Sequence, residues 1–312
     1  MMPVNIKFNH RLIQKALKRY KYYENIDLIK DDEIFYEAYS LRGNRHKFKN
    51  DLFTMIGILG WGPAGHHIAA KNLLFQGHDN CWKYFERTAL FWALAHLNDP
   101  FIDHIAPQLN YALFVEREDI LALLLEKSVQ YLAREEYVSD KEYTDQEVFS
   151  STHLIHFLIE KWGMDNPVRE KVMQYGKGLG IYQRIVDEWD NSFQEIEQDY
   201  WDLLCEHHLN GLSLTGSTRE KEEFISYGLV PMELLNVFKV RKKLGLDIPE
   251  IKHELFHTPM ATYPVLPTGY NEKLDVRFQL IERTMIEKKR FTMDEIIALL
   301  KEQHGEDSDI FY

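Results

Sequence analysis

Apolar residues recur at helical spacing along most of this chain, and that periodicity constrains its fold more than any other feature. Residues three and four positions apart share one face of a helix, so the pattern predicts amphipathic helices. Alternating β-branched runs are scarce, and the proline-rich segment 262–269 cannot form a central strand. We therefore predict an all-α protein of antiparallel helix pairs in a curved, repeat-like array, without a substantial β-sheet. No strict repeat period is visible.

Several predicted helices have recognisable ends. Gly245 follows Lys243 and closes a helix that ends in basic residues. Asn166 before Pro167 is typical of a helix start. The predicted helices cover roughly 8–23, 50–59, 64–76, 80–97, 100–113, 117–134, 145–162, 166–176, 180–208, 229–244, 249–257, 271–289 and 293–303.

The length of the chain, 312 residues, is sufficient to bury a substantial core. We predict a single helical domain over 1–312, with a weak possible subdivision at the polar stretch 136–146. The net charge is −12, although residues 1–50 carry 11 Lys and Arg against 6 Asp and Glu. Most of the surface would repel a polyanion, so we predict no nucleic-acid partner.

Cysteine content and hydropathy indicate the compartment. Cys81 and Cys205 are the only cysteines and form no CxxC pair, which is typical of a reducing cytoplasm. The N-terminus lacks the apolar core of a signal peptide. No apolar run approaches the ~18 residues of a membrane span. We therefore predict a cytoplasmic protein without a membrane partner.

Residues 185–208, called the acid-rich segment below, combine eight carboxylates with no lysine or arginine. On the predicted helix over 180–208, four of these carboxylates share one face: Glu195, Asp199, Asp202 and Glu206. Like charges at this spacing oppose helix formation by a few tenths of a kcal/mol per pair. The segment therefore either packs against the protein's own basic groups in residues 1–50, binds metal, or binds a basic partner.

We favour recognition of a basic protein by the acid-rich segment. The charged residues of this predicted interface are Asp187, Glu188, Asp190, Glu195, Asp199, Asp202 and Glu206. Trp189, Tyr200 and Trp201 are candidate aromatic anchors. The alternative is an ordinary solvated helix face whose aromatic residues belong to the core.

Residues 60–65 match GxGxxG, the glycine pattern of dinucleotide-binding turns, and Glu86 lies where a ribose-binding acid would fall. That site requires a doubly wound sheet, whereas the rest of the chain is predicted to be helical. We interpret the glycines as a turn between closely packed helices and predict no cofactor.

His253, Glu254 and His257 match HExxH, which on a helix binds zinc and supplies a general base. Pro259 leaves barely two helical turns for the motif. Glu272, Glu282 and Glu287 are available as a third ligand, but none stands in a convincing pattern. We favour a short polar helix and keep a zinc-dependent hydrolase as an alternative.

The remaining histidine patterns do not indicate a catalytic site. His153 and His156 share a helical face, but a di-metal bundle needs Glu-x-x-His on two helices, and here that spacing occurs only on the short helix at 249–257. No GxSxG is present, and neither cysteine has a nucleophile context. We predict no catalytic residues.

Three segments carry a family resemblance. Residues 81–105 are similar to an amphipathic Trp- and Ala-rich helix, the acid-rich segment to a later acidic helix, and residues 224–248 to a helix ending at an Arg/Lys–Gly turn. Together they resemble the helical immunity protein 49 group of bacterial polymorphic-toxin immunity proteins. The resemblance spans most of 80–257, whereas 57–65 and the chain beyond Tyr270 lie outside it.

This resemblance implies a cytoplasmic non-enzyme that binds and blocks a cognate secreted toxin. The predicted function is therefore stoichiometric neutralisation of a toxin with a basic surface. Besides the zinc hydrolase, a helical scaffold for another protein partner is an alternative.

Overall fold

The protein is all-α over the part of the chain that the structure describes. The computed structural model describes residues 8–23, 70–75, 77, 81–95, 102–132, 149–174, 178–212, 224 and 227–259. Every regular element in these ranges is an α-helix or a 3₁₀-helix, and no strand occurs in them. This confirms the predicted all-α class. None of the helices in the same ranges has the length and apolar character needed to cross a membrane.

The α-helices are named in chain order. They are α1 (Arg11–Tyr23), α2 (Cys81–Ala95), α3 (Ile102–Phe114), α4 (Glu118–Leu132), α5 (Ser150–Trp162), α6 (Arg169–Val172), α7 (Gln183–Asp187), α8 (Gln198–Asn210) and α9 (Met232–Lys243). Short 3₁₀-helices cover Gly180–Tyr182, Phe193–Glu195 and Glu254–His257. Residues 70–75 are also helical.

Helix α3 lies at the centre of the packing. It contacts α2 and α4, its neighbours in the chain, and also α5 and α9. Aromatic residues fill this core, with Phe85 of α2 packed edge-on against Phe114 and Tyr111 against Tyr227. Because α9 returns to α3 and also contacts α5, distant parts of the sequence share one core.

Local sequence signals predicted six of these helices well. The predictions at 8–23, 80–97, 100–113, 117–134, 145–162 and 229–244 correspond to α1, α2, α3, α4, α5 and α9. Gly245 has φ +74°, and its N–H and that of Leu246 donate to the carbonyls of Lys242 and Arg241 at 3.1 and 2.9 Å. This pair of bonds closes α9 as predicted.

Other predicted features differ or lie outside the described residues. The helix predicted at 166–176 is reduced to α6, and the Asn166 side chain donates to the His156 carbonyl at 3.0 Å rather than capping it. The chain from 246 to 253 is irregular and leads only to a 3₁₀-helix. The helices predicted at 50–59, 271–289 and 293–303 and the subdivision at 136–146 fall outside the described residues.

The continuous helix predicted over 180–208 is wrong. After α7 the chain turns at 188–192, forms the 3₁₀-helix Phe193–Glu195 and begins α8 only at Gln198. The acid-rich segment is therefore bent into two parts, and Glu195 does not belong to the helix that carries Asp199.

The buried side chain of Arg241, on α9, holds this bend. Its guanidinium donates to the backbone carbonyls of Trp189, of Asn191 at 2.9 Å and of Asp247 at 2.7 Å. It also forms an ion pair with the Asp247 carboxylate at 2.9 Å and lies 3.4 Å from the ring centre of Phe193. These donors satisfy carbonyls that the interrupted helix leaves without intrahelical partners.

Asp247 completes the bend from the other side. Its carboxylate accepts hydrogen bonds from the Ser192 hydroxyl at 2.9 Å and from the Gln194 amide at 3.2 Å. Desolvation acts to raise the pKa of Asp247, but these bonds and the Arg241 cation lower it below its usual value. The segment after α9 therefore fixes the bend in the acid-rich segment.

Candidate protein-binding surface on helix α8

Three carboxylates in the first part of the acid-rich segment lie near cations, whereas Asp187 and Glu195 are exposed without a cationic partner in the described structure. The Arg184 guanidinium, immediately before the segment, lies 2.7 Å from the Glu188 carboxylate and 2.6 Å from that of Glu197. The pKa of Glu197 is lowered by a hydrogen bond from its own backbone amide and by Arg184. Asp190 is exposed and interacts electrostatically with Arg241. Glu188, Glu197 and Asp190 therefore do not form a row of carboxylates without cationic neighbours.

The second part, α8, presents its carboxylates to solvent. Asp199, Leu203 and Asn210 are exposed, and Asp202 and Glu206 are half-buried. We call these five residues the acidic face of α8. Within the described structure neither Asp199 nor Asp202 has a cationic partner, and Asp202 accepts only from the Gln198 side-chain amide at 2.8 Å.

Leu203 lies within this acidic face. It is 53% exposed, more than any other large hydrophobic side chain in the described ranges. Asp199 precedes it by one helical turn and Glu206 follows it by nearly one turn, so both carboxylates are its neighbours along the helix. The face thus combines an apolar centre with acidic surroundings.

The predicted aromatic anchors lie in the core. Trp189 is 2% and Trp201 1% exposed, so neither side chain is available to a partner, which corrects their assignment to the interface. Trp189 packs edge-on against Phe157, and Trp201 against Phe238. Tyr200 is half-buried and donates its hydroxyl to the Ile181 carbonyl at 2.8 Å.

Within the acidic face of α8, Glu206 contacts other segments of the same chain. Its carboxylate lies 3.1 Å from Nε2 of both His10 and His253. Of the first 50 residues the structure describes 8–23, and this segment contacts α8 through the His10 imidazole rather than through an ammonium or guanidinium group. Arg11 and Lys15 of α1 are exposed and form no ion pair with α8 in the described structure.

Glu254 connects the same two chain segments by a second set of bonds. Its carboxylate accepts from the backbone amides of Asn9 at 2.9 Å and His10 at 2.8 Å. These amides immediately precede α1, where a helix start has unsatisfied N–H groups and favours negative charge. Glu254 therefore stabilises the start of α1 from 244 residues away in the chain.

The HExxH motif is not carried by an α-helix, since Glu254–His257 form a 3₁₀-helix. The candidate third ligands Glu272, Glu282 and Glu287 lie outside the described residues. His253 is extended, and its Nδ1 accepts the Leu255 amide at 3.1 Å, so the proton of the neutral ring lies on Nε2 and points to Glu206. If Nε2 bound zinc, the proton of the neutral ring would lie on Nδ1, where it would face the N–H of Leu255. Glu254 is engaged by α1, and no group of three or more His, Cys, Asp or Glu among the described residues is arranged to hold a metal.

A buried His–Glu pair lies on the inner side of α8. His208 Nδ1 is 2.7 Å from the Glu233 carboxylate, and Nε2 donates to the Gly228 carbonyl at 2.8 Å. Phe224 stacks on the imidazole at 4.9 Å. Because both ring nitrogens are occupied, His208 has no free nitrogen to activate Cys205, whose thiol pKa is raised, foremost by burial. Sequence reasoning missed Glu233, since no local pattern connects it with His208.

The other histidine pair and the proposed ribose-binding acid are also structural. His153 and His156 are fully buried, and burial lowers the pKa of His156 to about 4 despite a hydrogen bond with Asn166. Glu86 is buried and pairs with Arg117 at 2.6 Å, so it is not positioned to bind a ribose. Residues 60–65 lie outside the described residues.

Comparison with known protein families, curated proteins and solved structures finds no match to this chain. The functional assignment therefore depends on the geometry of the molecule. Of the predicted interface residues, α8 brings together Asp199, Asp202 and Glu206, while Glu195 lies on the preceding 3₁₀-helix. Asp187, Glu188 and Asp190 lie at the end of α7 and in the turn that follows.

Proposed function

We propose that this protein is a cytoplasmic immunity protein that neutralises a cognate bacterial toxin by stoichiometric binding, without chemistry. The observation that carries the proposal is the acidic face of α8, where Asp199 and Asp202 have no cationic partner in the described structure. The resemblance of residues 81–105, 185–208 and 224–248 to helical immunity proteins points to the same function.

Electrostatics supports a basic partner. The chain carries a net charge of −12, Asp199 is exposed, and neither Asp199 nor Asp202 has a cationic partner in the described structure. A basic protein surface would be attracted to them, which raises the association rate at low ionic strength. Toxins that act on nucleic acid need basic active-site surfaces, so an acidic inhibitor is suited to cover them.

The state of the reactive side chains favours binding over catalysis. Cys205 is buried, and burial raises the pKa of its thiol. His208 and His253 each use both ring nitrogens in structural contacts. These groups therefore support the fold, and the exposed features of α8 are those of an interface.

The test is co-expression with the protein encoded by the adjacent gene. We expect the chain to restore growth when that protein is toxic, and to form a complex whose association slows as salt increases. Charge reversal by Asp199→Lys with Asp202→Lys should slow association and flatten its salt dependence. Growth restored without a complex, or no rescue at all, would refute the proposal, whereas binding without rescue would favour a scaffold.

A matched control separates the α8 face from overall charge. Asp165→Lys with Glu170→Lys changes the net charge equally, and both residues are exposed near α6. We expect this control pair to alter association much less than the α8 pair. Equal effects of the two pairs would show that the net charge, and not the acidic face of α8, attracts the partner.

A further inference from the structure

We infer that Leu203 is the apolar anchor of the α8 interface and that its partner presents an apolar pocket rimmed by lysine or arginine. This inference rests on the proposed function and adds the docking position and the chemistry of the partner. Leu203 is 53% exposed in the acidic face, although the inner side of α8 is already filled by Trp201, Leu204 and Cys205. Its side chain is therefore not required for the packing of α8.

The surroundings of Leu203 determine what would cover it. Asp199 and Glu206 are its neighbours one turn away on α8, so any surface that buries the leucine also removes water from these two carboxylates. An uncharged apolar surface would leave the carboxylates unpaired and poorly solvated, which opposes binding. A pocket with cations on its rim would bury the leucine and pair the carboxylates together. Arginine is the cation best suited to such sites.

The same charges disfavour other occupants. A second copy placed on this face by a twofold axis would set acidic residues against acidic residues. An anionic lipid surface would also be repelled. Leu244 and Ile248 are the next most exposed large hydrophobics in the described ranges, but Leu244 directly follows Lys242 and Lys243 and so does not match a basic partner.

Glu206 limits the docking position on one side. Its carboxylate is already engaged by His10 and His253, whereas Asp199 has no cationic partner in the described structure. The cations of the partner therefore meet the least competition at the N-terminal half of α8. We place the centre of docking between Asp199 and Leu203.

The first arm of the test needs no knowledge of the natural partner. A synthetic peptide of two packed helices, with a leucine-lined groove between them flanked by lysines, is titrated into the full-length protein. Binding is followed calorimetrically and by backbone chemical shifts. We expect shifts in α8 and at least about a tenfold weaker affinity for Leu203→Ser, equivalent to about 1.4 kcal/mol. Leu244→Ser is the matched control, because Leu244 is 47% exposed on a basic turn, and it should change affinity by less than about twofold.

The inference is overturned if the peptide does not bind or binds away from α8. It is also overturned if Leu203→Ser and Leu244→Ser lose affinity equally. The second arm repeats the variants with the protein encoded by the adjacent gene. If that protein binds and Leu203→Ser has no effect, the anchor is wrong while the proposed function stands. If the peptide arm succeeds and the adjacent protein does not bind, the surface stands and the immunity function fails. Thermal unfolding of Leu203→Ser and Leu203→Glu tests whether each variant is folded, so that a loss of affinity is not mistaken for a folding defect.

Discussion

The two parts of the acid-rich segment are both acidic in the sequence but have different environments in the molecule. In the first part, Arg184 pairs with Glu188 and Glu197, and Arg241 holds the turn that follows α7. In the second part, Asp199 and Asp202 on α8 face solvent without a cation in the described structure. Density of negative charge along a chain therefore does not identify a binding surface. A binding surface is identified by where the fold places the protein's own cations relative to that charge.

The largest expected effect comes from removing the cation that bends the first part. Arg241→Met leaves the carbonyls of Trp189 and Asn191 without donors and Asp247 without its ion pair. We expect the free energy of unfolding to fall by about 3–5 kcal/mol. Urea denaturation followed by circular dichroism measures this loss. Arg184→Met is the control: it removes a partly exposed cation that pairs with Glu188 and Glu197, and should lower the free energy of unfolding by about 1 kcal/mol or less. Similar losses in both variants would contradict the distinction.

A smaller loss is expected from the inner side of α8. His208→Phe leaves Glu233 buried without its partner, and we expect unfolding to become easier by about 2–3 kcal/mol. Adding Glu233→Leu to His208→Phe should recover part of the loss, because the unpaired carboxyl is then removed. The double-mutant cycle in urea measures this recovery. An additive loss would show that the two groups do not interact.

Acidification should affect the first part of the segment through Asp247. Its pKa is lowered in the folded protein, so its contribution to stability is present above the ordinary carboxyl pKa and is lost as pH falls through the folded value. We expect Asp247→Asn to lose less stability than the wild type below about pH 4. Stability measured by denaturation at successive pH values provides the test.

A second loss of stability, at higher pH than that of Asp247, is expected from His156. Burial lowers its pKa to about 4, so the protein loses stability as pH falls from the ordinary histidine range towards that value. Both the wild type and Asp247→Asn should show this part of the profile. The profile of Asp247→Asn lies lower because the ion pair with Arg241 is lost, but its slope above about pH 5 should equal that of the wild type. Different slopes in that range would show that the assignment to Asp247 is wrong.

The smallest stability effect is expected on the exposed face of α8. Asp199→Lys with Asp202→Lys should change the free energy of unfolding by less than about 0.5 kcal/mol, because neither carboxylate has a cationic partner in the described structure. Thermal and urea unfolding of this variant check the expectation. A substantial loss would show that these carboxylates are paired within the protein, and the contrast between the two parts would disappear.

The sequence predicted correctly those helices and helix ends that depend on interactions between nearby residues. Helices α2, α3, α4, α5 and α9 follow apolar periodicity, and Gly245 closes α9 through bonds formed within its own last turn. The placement of Asp199, Asp202 and Glu206 on one face also follows from helical spacing alone. These features need no information from distant residues.

The bend and the HExxH motif depend on residues far away in the chain. Asp190, Asn191 and Ser192 are three consecutive turn-favouring residues, a signal that would have predicted the break, but the acidic periodicity outweighed it. No local pattern shows that Arg241 binds there or that Glu254 meets the start of α1. The exposure of Leu203 is equally hidden, because a leucine at that position also fits a core pattern.

The contacts of Arg241 have a consequence for the order of events during synthesis. Arg241 lies 52 residues after Trp189 and 50 after Asn191. At about 5–20 residues per second, the ribosome needs about 3–10 s to cover that interval. Until then the carbonyls of Trp189 and Asn191 lack the donors that Arg241 supplies. Chains stalled before and after residue 241 should therefore differ in hydrogen-exchange protection at 188–192, with the native turn forming as a late step of folding.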